Sequence, residues 1–465
     1  DVYKRQMFDC PQNLREEEMF EVPEWAANKV VYQIFPSRFA ATEPVDKELW
    51  YKAPITPMDD LHGNLRGIIE HMDDIQNLGI DVLYMTPIFQ SNSCHKYDTT
   101  DYYQIDPSFG TTEDLKELVQ KAHERGMKVV LDAVYNHTGR EFFAFADILE
   151  NGEKSKYRDW YFIDGFPLKS EWGEIPNFKC FGYYGGMPKL NLKNPEVEKY
   201  ITDVACYWIK ECDIDGWRLD VGDEISHFFW KNFRKAVKAV KKDMLIIGEI
   251  WHYAGDFLEG DEWDTVMNYP FYLNLIDLLA DEKITVSQFV QNLGYLKGRL
   301  NKNCYPLMWN LIDSHDTARF LHLCNDNKKK QHLAAAFQLL LPGMPMIYYG
   351  DEYAMPGAND PDCRRGMYWD EEYQDKEMYE WYKRLIQVRK SHACIVEGEL
   401  AGSVTEDEEG TIVLIRKNGE ETIAMIFNCS SSAKKFNEYT QKYNLLTENT
   451  FDGNVEGFDA AVIVL

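Results

Sequence analysis

Three carboxylates in this chain stand where short apolar runs end: Asp220 in GWRLDV, Glu249 in IIGEIW and Asp316 in DSHDT. Arg218 lies two residues before Asp220, so on an extended strand both side chains point to the same side. His137 closes another such segment, LDAVYNH, which also holds Asp132 and Asn136, and His315 immediately precedes Asp316. Taken singly, each has a plain reading. Asp220 could be a strand-end ion pair with Arg218, and either histidine a satisfied core residue. Jointly they are hard to explain that way, because four different runs deliver acids, one Arg and two His. With no Cys/His set at metal spacing, such converging carboxylates point to glycoside chemistry. Retaining cleavage needs two carboxyl groups about 5–5.5 Å apart, one an ionised nucleophile and the other a proton donor. Arg218 would keep Asp220 ionised. Glu249, between Gly248 and the apolar Ile250 and Trp251, would have its pKa raised and act as the acid. Asp316, His315 and His137 would supply charge and hydrogen bonds around the sugar.

The elements that must position these groups form a rhythm. Strand candidates lie at 29–35, 80–85, 127–134, 214–221 and 244–250, with weaker ones at 264–268, 306–312 and 345–350. Amphipathic helices are predicted at 65–78, 112–125, 195–211, 226–242 and 376–391. Thr112 reads as the capped start of one helix, and Gly79 and Gly126 as helix ends. Eight strands alternating with helices predict a (β/α)8 TIM barrel, whose chemistry sits at the C-terminal ends of its strands. An open doubly wound sheet competes, but the glycine-rich phosphate turn expected after its first strand is missing from PSRFAAT. Residues 138–191, aperiodic and rich in Gly, Pro and aromatics, read as an irregular subdomain inserted after the third strand. Short alternating runs near the end predict a C-terminal all-β domain. The expected division is an N-terminal extension 1–24, a catalytic barrel 25–395 and a β-sandwich 396–465.

Composition narrows the partners. The 465 residues carry 77 acidic against 50 basic side chains, a formal net charge of −27. Such a surface repels phosphate backbones and anionic lipid, which argues against nucleic acid and membrane partners and suits a neutral ligand. Aromatics make up 14%, enough to supply sugar-stacking faces beyond the core. Ten cysteines are scattered without CxxC pairs, no run is long enough to span a membrane, and DVYKRQMFDC lacks the apolar core of a secretory signal. Reduced thiols in the cytoplasm are expected. Met7 could be the true start, with residues 1–6 not native.

With these residues in place, the chain resembles the α-amylase family of glycoside hydrolases, and within it the neopullulanase, cyclomaltodextrinase and maltogenic amylase group. The family's four short regions occur in order as DAVYNH (132–137), GWRLDVGDE (216–224), GEIW (248–251) and IDSHD (312–316). MPKLN (187–191), HKYDTTDYYQIDPSFGT (95–111) and YYGDEYAMPGANDPDCRRGMYWD (348–370) extend the match over roughly 25–465. The resemblance implies Asp220 as nucleophile, Glu249 as acid/base and Asp316 as stabiliser of the distorted sugar. It also implies that Arg218 holds the nucleophile, and that His137 and His315 bind hydroxyls at the sugar to be cleaved. Tyr97 would stack under that sugar with His95 nearby, and Glu224 and Trp251 would lie on the leaving-group side. Val221 matches a position often valine in members that accept α-1,6 bonds.

The implied activity is retaining cleavage of α-1,4 bonds in maltooligosaccharides, cyclomaltodextrins or pullulan, with possible α-1,6 cleavage and transglycosylation. An α-glucosidase or oligo-1,6-glucosidase specificity and ordinary α-amylase action on starch are the alternatives, and MPKLN argues against the former. A non-catalytic sugar-binding barrel conflicts with the presence of all three carboxylates. No cofactor is required by this reading, and calcium stays open, with Asn136 where other members ligate it. The group usually carries an N-terminal β-domain, whereas 28 residues precede the first strand candidate here, so the oligomeric state is left open.

Overall fold

The computed structural model describes residues 21–169 and 175–465. Cys10, Met7 and most of the predicted N-terminal extension lie outside them. Eight parallel strands form the central sheet: β1 Val31–Ile34, β2 Val82–Met85, β5 Lys128–Ala133, β6 Gly216–Leu219, β7 Leu245–Gly248, β8 Thr265–Val266, β9 Trp309–Leu311 and β10 Met344–Tyr348. An antiparallel hairpin, β3 Phe89–Ser91 and β4 Thr99–Ile105, intervenes after β2. The order around the sheet is β8-β7-β6-β5-β2-β1-β10-β9. A parallel bridge from Met267 to Trp309 joins the two ends. Asn268 reinforces it, its N–H donating to Trp309 O and its Nδ2 to Asn310 Oδ1, both at 2.8 Å. The predicted barrel is therefore present, closed most sparingly where its strands are shortest.

Every residue of β1, β2, β6, β7 and β10 is buried, which is why these segments read as unbroken apolar runs rather than alternating ones. Helices cover the outer face, and a second cluster fills the barrel with Val31, Val82, Val130, Leu245, Met267, Trp309 and Met346. Side chains alternate along a strand, so the next inward positions are Gln33, Tyr84, Asp132 and Arg218. The interior thus changes from apolar to polar towards the C-terminal ends, and that upper layer is the floor of the site.

Local chemistry sets the helix boundaries. Thr111, one residue before the expected cap, accepts from Asp114 N while Asp114 accepts from Thr111 N, a reciprocal capping box. The helix expected over 65–78 divides into Leu65–Glu70 and Met72–Leu78. At the break, the His71 ring lies flat on Trp369, centroids 3.6 Å apart. Gly79 ends the second piece at φ +101°, a conformation that favours glycine.

Among the described residues between 138 and 191, the chain forms one α-helix, Phe143–Asn151, short 3-10 turns at Gly152–Lys154, Arg158–Trp160 and Phe181–Tyr183, and single bridges such as His137–Lys189 and Tyr161–Leu190. After the helix Lys376–Ser391, strands β11 Glu399–Glu406, β12 Thr411–Asn418 and β13 Glu421–Asn428 join Asp459–Val464 in an antiparallel sheet. Its core includes Val413, Ile426, Phe436, Phe451 and Ile463. It docks on the barrel through Phe427 stacked on Phe337 at 4.3 Å. The nine described cysteines are all unpaired. Among the described residues no helix is long and apolar enough to cross a membrane.

Candidate active site

At the C-terminal ends of the strands lies a cavity of about 300 Å³ lined by His95, Tyr97, His137, Asp220, Glu249, Trp251 and Asp316. Seven of the residues singled out from the sequence thus meet here. Arg218 forms the floor, fully buried. Its Nη1 donates to Asp220 Oδ1 at 2.9 Å and to both oxygens of Asp132 at 3.0 and 3.1 Å, and Nη2 lies 2.8 Å from Glu249 Oε2. Asp316 Oδ2 is 4.0 Å from the same nitrogen.

This arrangement changes one expectation. Arg218 does not serve Asp220 alone. Strand order places Asp132 directly beside it, in register on β5, so one cation is shared among three buried carboxylates. Burial pushes Asp220 and Glu249 above the ordinary carboxylate range, while Arg218 pulls both back. Asp132 is pushed up to about 6 by the same burial. One positive charge cannot offset three buried negative ones, so the cluster holds protons readily. Asp220 Oδ2 is buried and has no hydrogen-bond partner among the described residues.

The acid/base candidate is held from three sides. Glu249 Oε2 accepts from Val221 N at 2.9 Å, and Oε1 from Trp251 Nε1 at 3.3 Å. Val221 reaches that position at φ +47°, ψ +44°. This left-handed conformation is costly for a β-branched residue, by about 1–3 kcal/mol, and such strain collects at functional sites. Trp251 is 42% exposed and stacks on Tyr269, centroids 3.9 Å apart.

The remaining residues divide into wall and support. Tyr97 and His95 come from the loop between β3 and β4, with His95 Nδ1 accepting from Tyr97 N at 3.1 Å. His137 is pushed down to about 3 by burial, so it is neutral; its Nε2 faces Tyr97 O at 3.1 Å. His315 is fully buried and stands behind Tyr97, their rings parallel at 5.5 Å, so it supports the wall instead of lining it. Glu224 does not line the cavity either. Its carboxylate is 3.3 Å from Lys189 Nζ and 3.2 Å from Asn136 Nδ2.

Lys189 also bears on calcium. Asn136 Oδ1 accepts from Lys189 Nζ, which further donates to Glu224 O at 3.0 Å. An ammonium there repels a divalent cation and takes the oxygens that calcium, with its six to eight ligands, would need. Among the described residues no group of three or more His, Cys, Asp or Glu could hold a metal ion. The residues around Asn136 do not fit calcium.

Four lining residues were not singled out from the sequence as site residues: Phe181, Met187, Asp360 and Arg364. Phe181 stacks on His137 at 5.1 Å. Arg364 pairs with Asp360 at 2.8 Å and reaches Asp316 Oδ1 at 3.4 Å. A charged DPDCRR stretch inside an otherwise apolar segment was the available signal, but no periodicity tied it to the barrel mouth.

Comparison with known proteins agrees with this geometry. Residues 33–398 match the family model described as alpha amylase, catalytic domain. The chain is 46% identical over 428 residues to a cyclomaltodextrinase of Geobacillus thermopakistaniensis, covering 91% of this chain and 72% of that protein. It is 43% identical over 417 residues to neopullulanase 2 of Thermoactinomyces vulgaris, covering 88% and 71%. Among solved structures, the ligand-free cyclic α-maltosyl-(1→6)-maltose hydrolase of Arthrobacter globiformis superposes with a TM-score of 0.87 at 36% identity, over 95% of this chain and 100% of that one. Barrel, acid cluster and sequence match converge: this chain belongs to the α-amylase family of glycoside hydrolases.

Proposed function

We propose that the enzyme cleaves α-1,4-glucosidic bonds in maltooligosaccharides, cyclomaltodextrins or pullulan with retention of configuration, with some α-1,6 cleavage and transfer to sugar acceptors. One observation carries the mechanism: a single guanidinium bridges Asp220 and Glu249, while Asp220 Oδ2 is left without a partner. A planar fork spanning both groups favours the short separation of retaining enzymes, about 5–5.5 Å, over the roughly 6.5–9.5 Å that an intervening water requires. In the first step Asp220 Oδ2 attacks the anomeric carbon as Glu249 gives its proton to the glycosidic oxygen. The bond to the leaving sugar breaks and a glycosyl ester forms on Asp220. Water, or a hydroxyl of a second sugar, then gives a proton to Glu249 and attacks the same carbon, releasing Asp220. Asp316 faces the developing positive charge, Tyr97 offers its ring to the sugar, and Trp251 borders the leaving group. Val221 supports α-1,6 tolerance.

The relatives' names support cyclic and branched α-glucans as substrates, and a neutral ligand suits the strongly acidic chain. Lys189 supports a reaction without calcium, and the nine unpaired thiols support a reducing, cytoplasmic setting. Chromatography of products from β-cyclodextrin, pullulan, starch and maltotriose tests the specificity. Fast β-cyclodextrin and pullulan cleavage with slow starch turnover is expected. A preference for starch would overturn it in favour of ordinary α-amylase action.

A further inference from the structure

Gln33 carries a side-chain amide into the middle of the first strand run, KVVYQIF. It is fully buried, paired in register with Tyr84 on β2 and Tyr348 on β10. Its amide nitrogen lies 2.7 Å from His315 Nδ1. On the far side of the imidazole, Nε2 faces two groups of the site, Tyr97 Oη and Asp316 Oδ2, the latter at 3.2 Å.

Counting protons assigns every bond in this chain. Tyr97 has one phenolic proton and two acceptors in reach, His315 Nε2 and Asp132 Oδ2 at 3.1 Å. Arg218 favours the ionised form of Asp132. Asp132 Oδ2, which also accepts from Tyr84 Oη at 2.6 Å, takes that proton, because a carboxylate accepts more strongly than a neutral imidazole nitrogen. His315 Nε2 must then carry its own hydrogen to bond Tyr97 Oη. The Asp316 oxygen beside Nε2 demands the same, since a bare ring nitrogen would turn a lone pair on a carboxylate. A neutral ring carries one hydrogen, so Nδ1 is bare and accepts from Gln33. Burial, with Arg364 and Arg218 nearby, keeps the ring neutral.

We propose that Gln33 is a positioning residue that locks His315 in its Nε2–H tautomer, and that the chain Gln33, His315, Tyr97, Asp132, Arg218 ties β1 to the nucleophile Asp220. A hydrogen bond to one ring nitrogen decides what the other presents. With the lock in place, His315 donates towards Tyr97 and Asp316, and Tyr97 keeps its proton on Asp132. With the opposite tautomer, Tyr97 would turn its proton to His315, and Asp316 would face a lone pair.

Two near-isosteric replacements separate this role from packing. Gln33→Glu offers an acceptor where Gln33 offers a donor, and Gln33→Met offers neither. The ring nitrogens of the 11 histidines are read by ¹⁵N NMR of the full-length enzyme, with His315 assigned by its loss in His315→Gln. The wild type should show His315 with hydrogen on Nε2 only. Gln33→Glu should move hydrogen onto Nδ1. On maltotriose, kcat should fall about 10–100-fold, as for loss of other groups that orient a site histidine, with KM changed less than about threefold. Wild-type His315 bearing hydrogen on Nδ1 overturns the proposal even if neither variant folds. So does a Gln33→Glu protein with an unchanged ring pattern. The rate measurement rests on the glucan-hydrolase reading, but the tautomer is read without substrate, so failure of one does not mimic failure of the other.

Discussion

Two arginines of this barrel that are 0% exposed, Arg218 and Arg319, meet carboxylates and do opposite things. Arg319 is closed on itself. Its Nη1 donates to Asp351 at 2.9 Å, Nη2 to Tyr349 O at 2.9 Å and Nε to Cys363 O at 3.1 Å, and the guanidinium lies over Tyr348, 4.3 Å from the ring centroid. Each of its nitrogens has a protein partner, and neither Arg319 nor Asp351 lines the active-site cavity. Arg218 is left open. Its partners are Asp132, Asp220 and Glu249; the last two line the cavity, and one oxygen of Asp220 has no partner. Both guanidinium groups are fully buried. What differs is whether the pairing is completed inside the protein or left for a substrate to complete.

That contrast sets the predictions. Asp220→Asn should lower kcat by about 10⁴-fold or more. Its melting temperature should stay level or rise, because one of three carboxylates competing for Arg218 is neutralised. Steady-state kinetics and thermal melts check both, and activity near wild type would remove Asp220 from the nucleophile's place. Arg319→Met should do the reverse. Leaving Asp351 buried without its cation should cost about 3–5 kcal/mol in denaturant titration. The folded fraction should keep its kcat.

The closed cluster should also shape stability against pH. Burial pushes Glu352 up to about 7 from the usual 4.5, against the pull of Tyr32 Oη donating at 2.6 Å. The folded protein therefore holds this proton more tightly than the unfolded chain. The stability it contributes is full below about pH 4.5 and is lost as pH rises through 7. Glu352→Gln should match wild type near pH 4.5 and gain on it above pH 7, by on the order of 3 kcal/mol. Melting curves from pH 4.5 to 8.5 read this directly. The smallest effect is expected at the third cation, Lys189. Lys189→Met should destabilise by about 1–3 kcal/mol by orphaning Asn136 Oδ1, and a chelator should leave wild-type activity unchanged. Chelator-induced loss would contradict the fit of Lys189 to that position.

Much of this was legible residue by residue. Strand β7 was readable because LIIG is apolar throughout, and Glu249 was conspicuous because it follows such a run. The pairing of Arg218 with Asp220 followed from their spacing of two. The hairpin β3–β4 was not legible as strands, since FQS is too short and TTDYYQI carries no clean alternation; its register is irregular. Glu224 shares a motif with Asp220, yet the 3-10 turn Gly222–Glu224 leaves it beside Lys189. His315 was expected to touch sugar, and the structure sets it behind Tyr97.

The sequence by itself determined which residues point inward along each strand and which segments end in chemistry, because a period of two and a run of buried apolar residues are local properties of the chain. Only the tertiary structure decided who meets whom across the barrel. Strand order set Asp132 beside Arg218, barrel closure carried Asp316 to within 4.0 Å of the same guanidinium, and Gln33 met His315 across 282 positions of sequence. Those distances depend on how eight strands stagger around a common axis, and no local pattern of residues encodes that stagger.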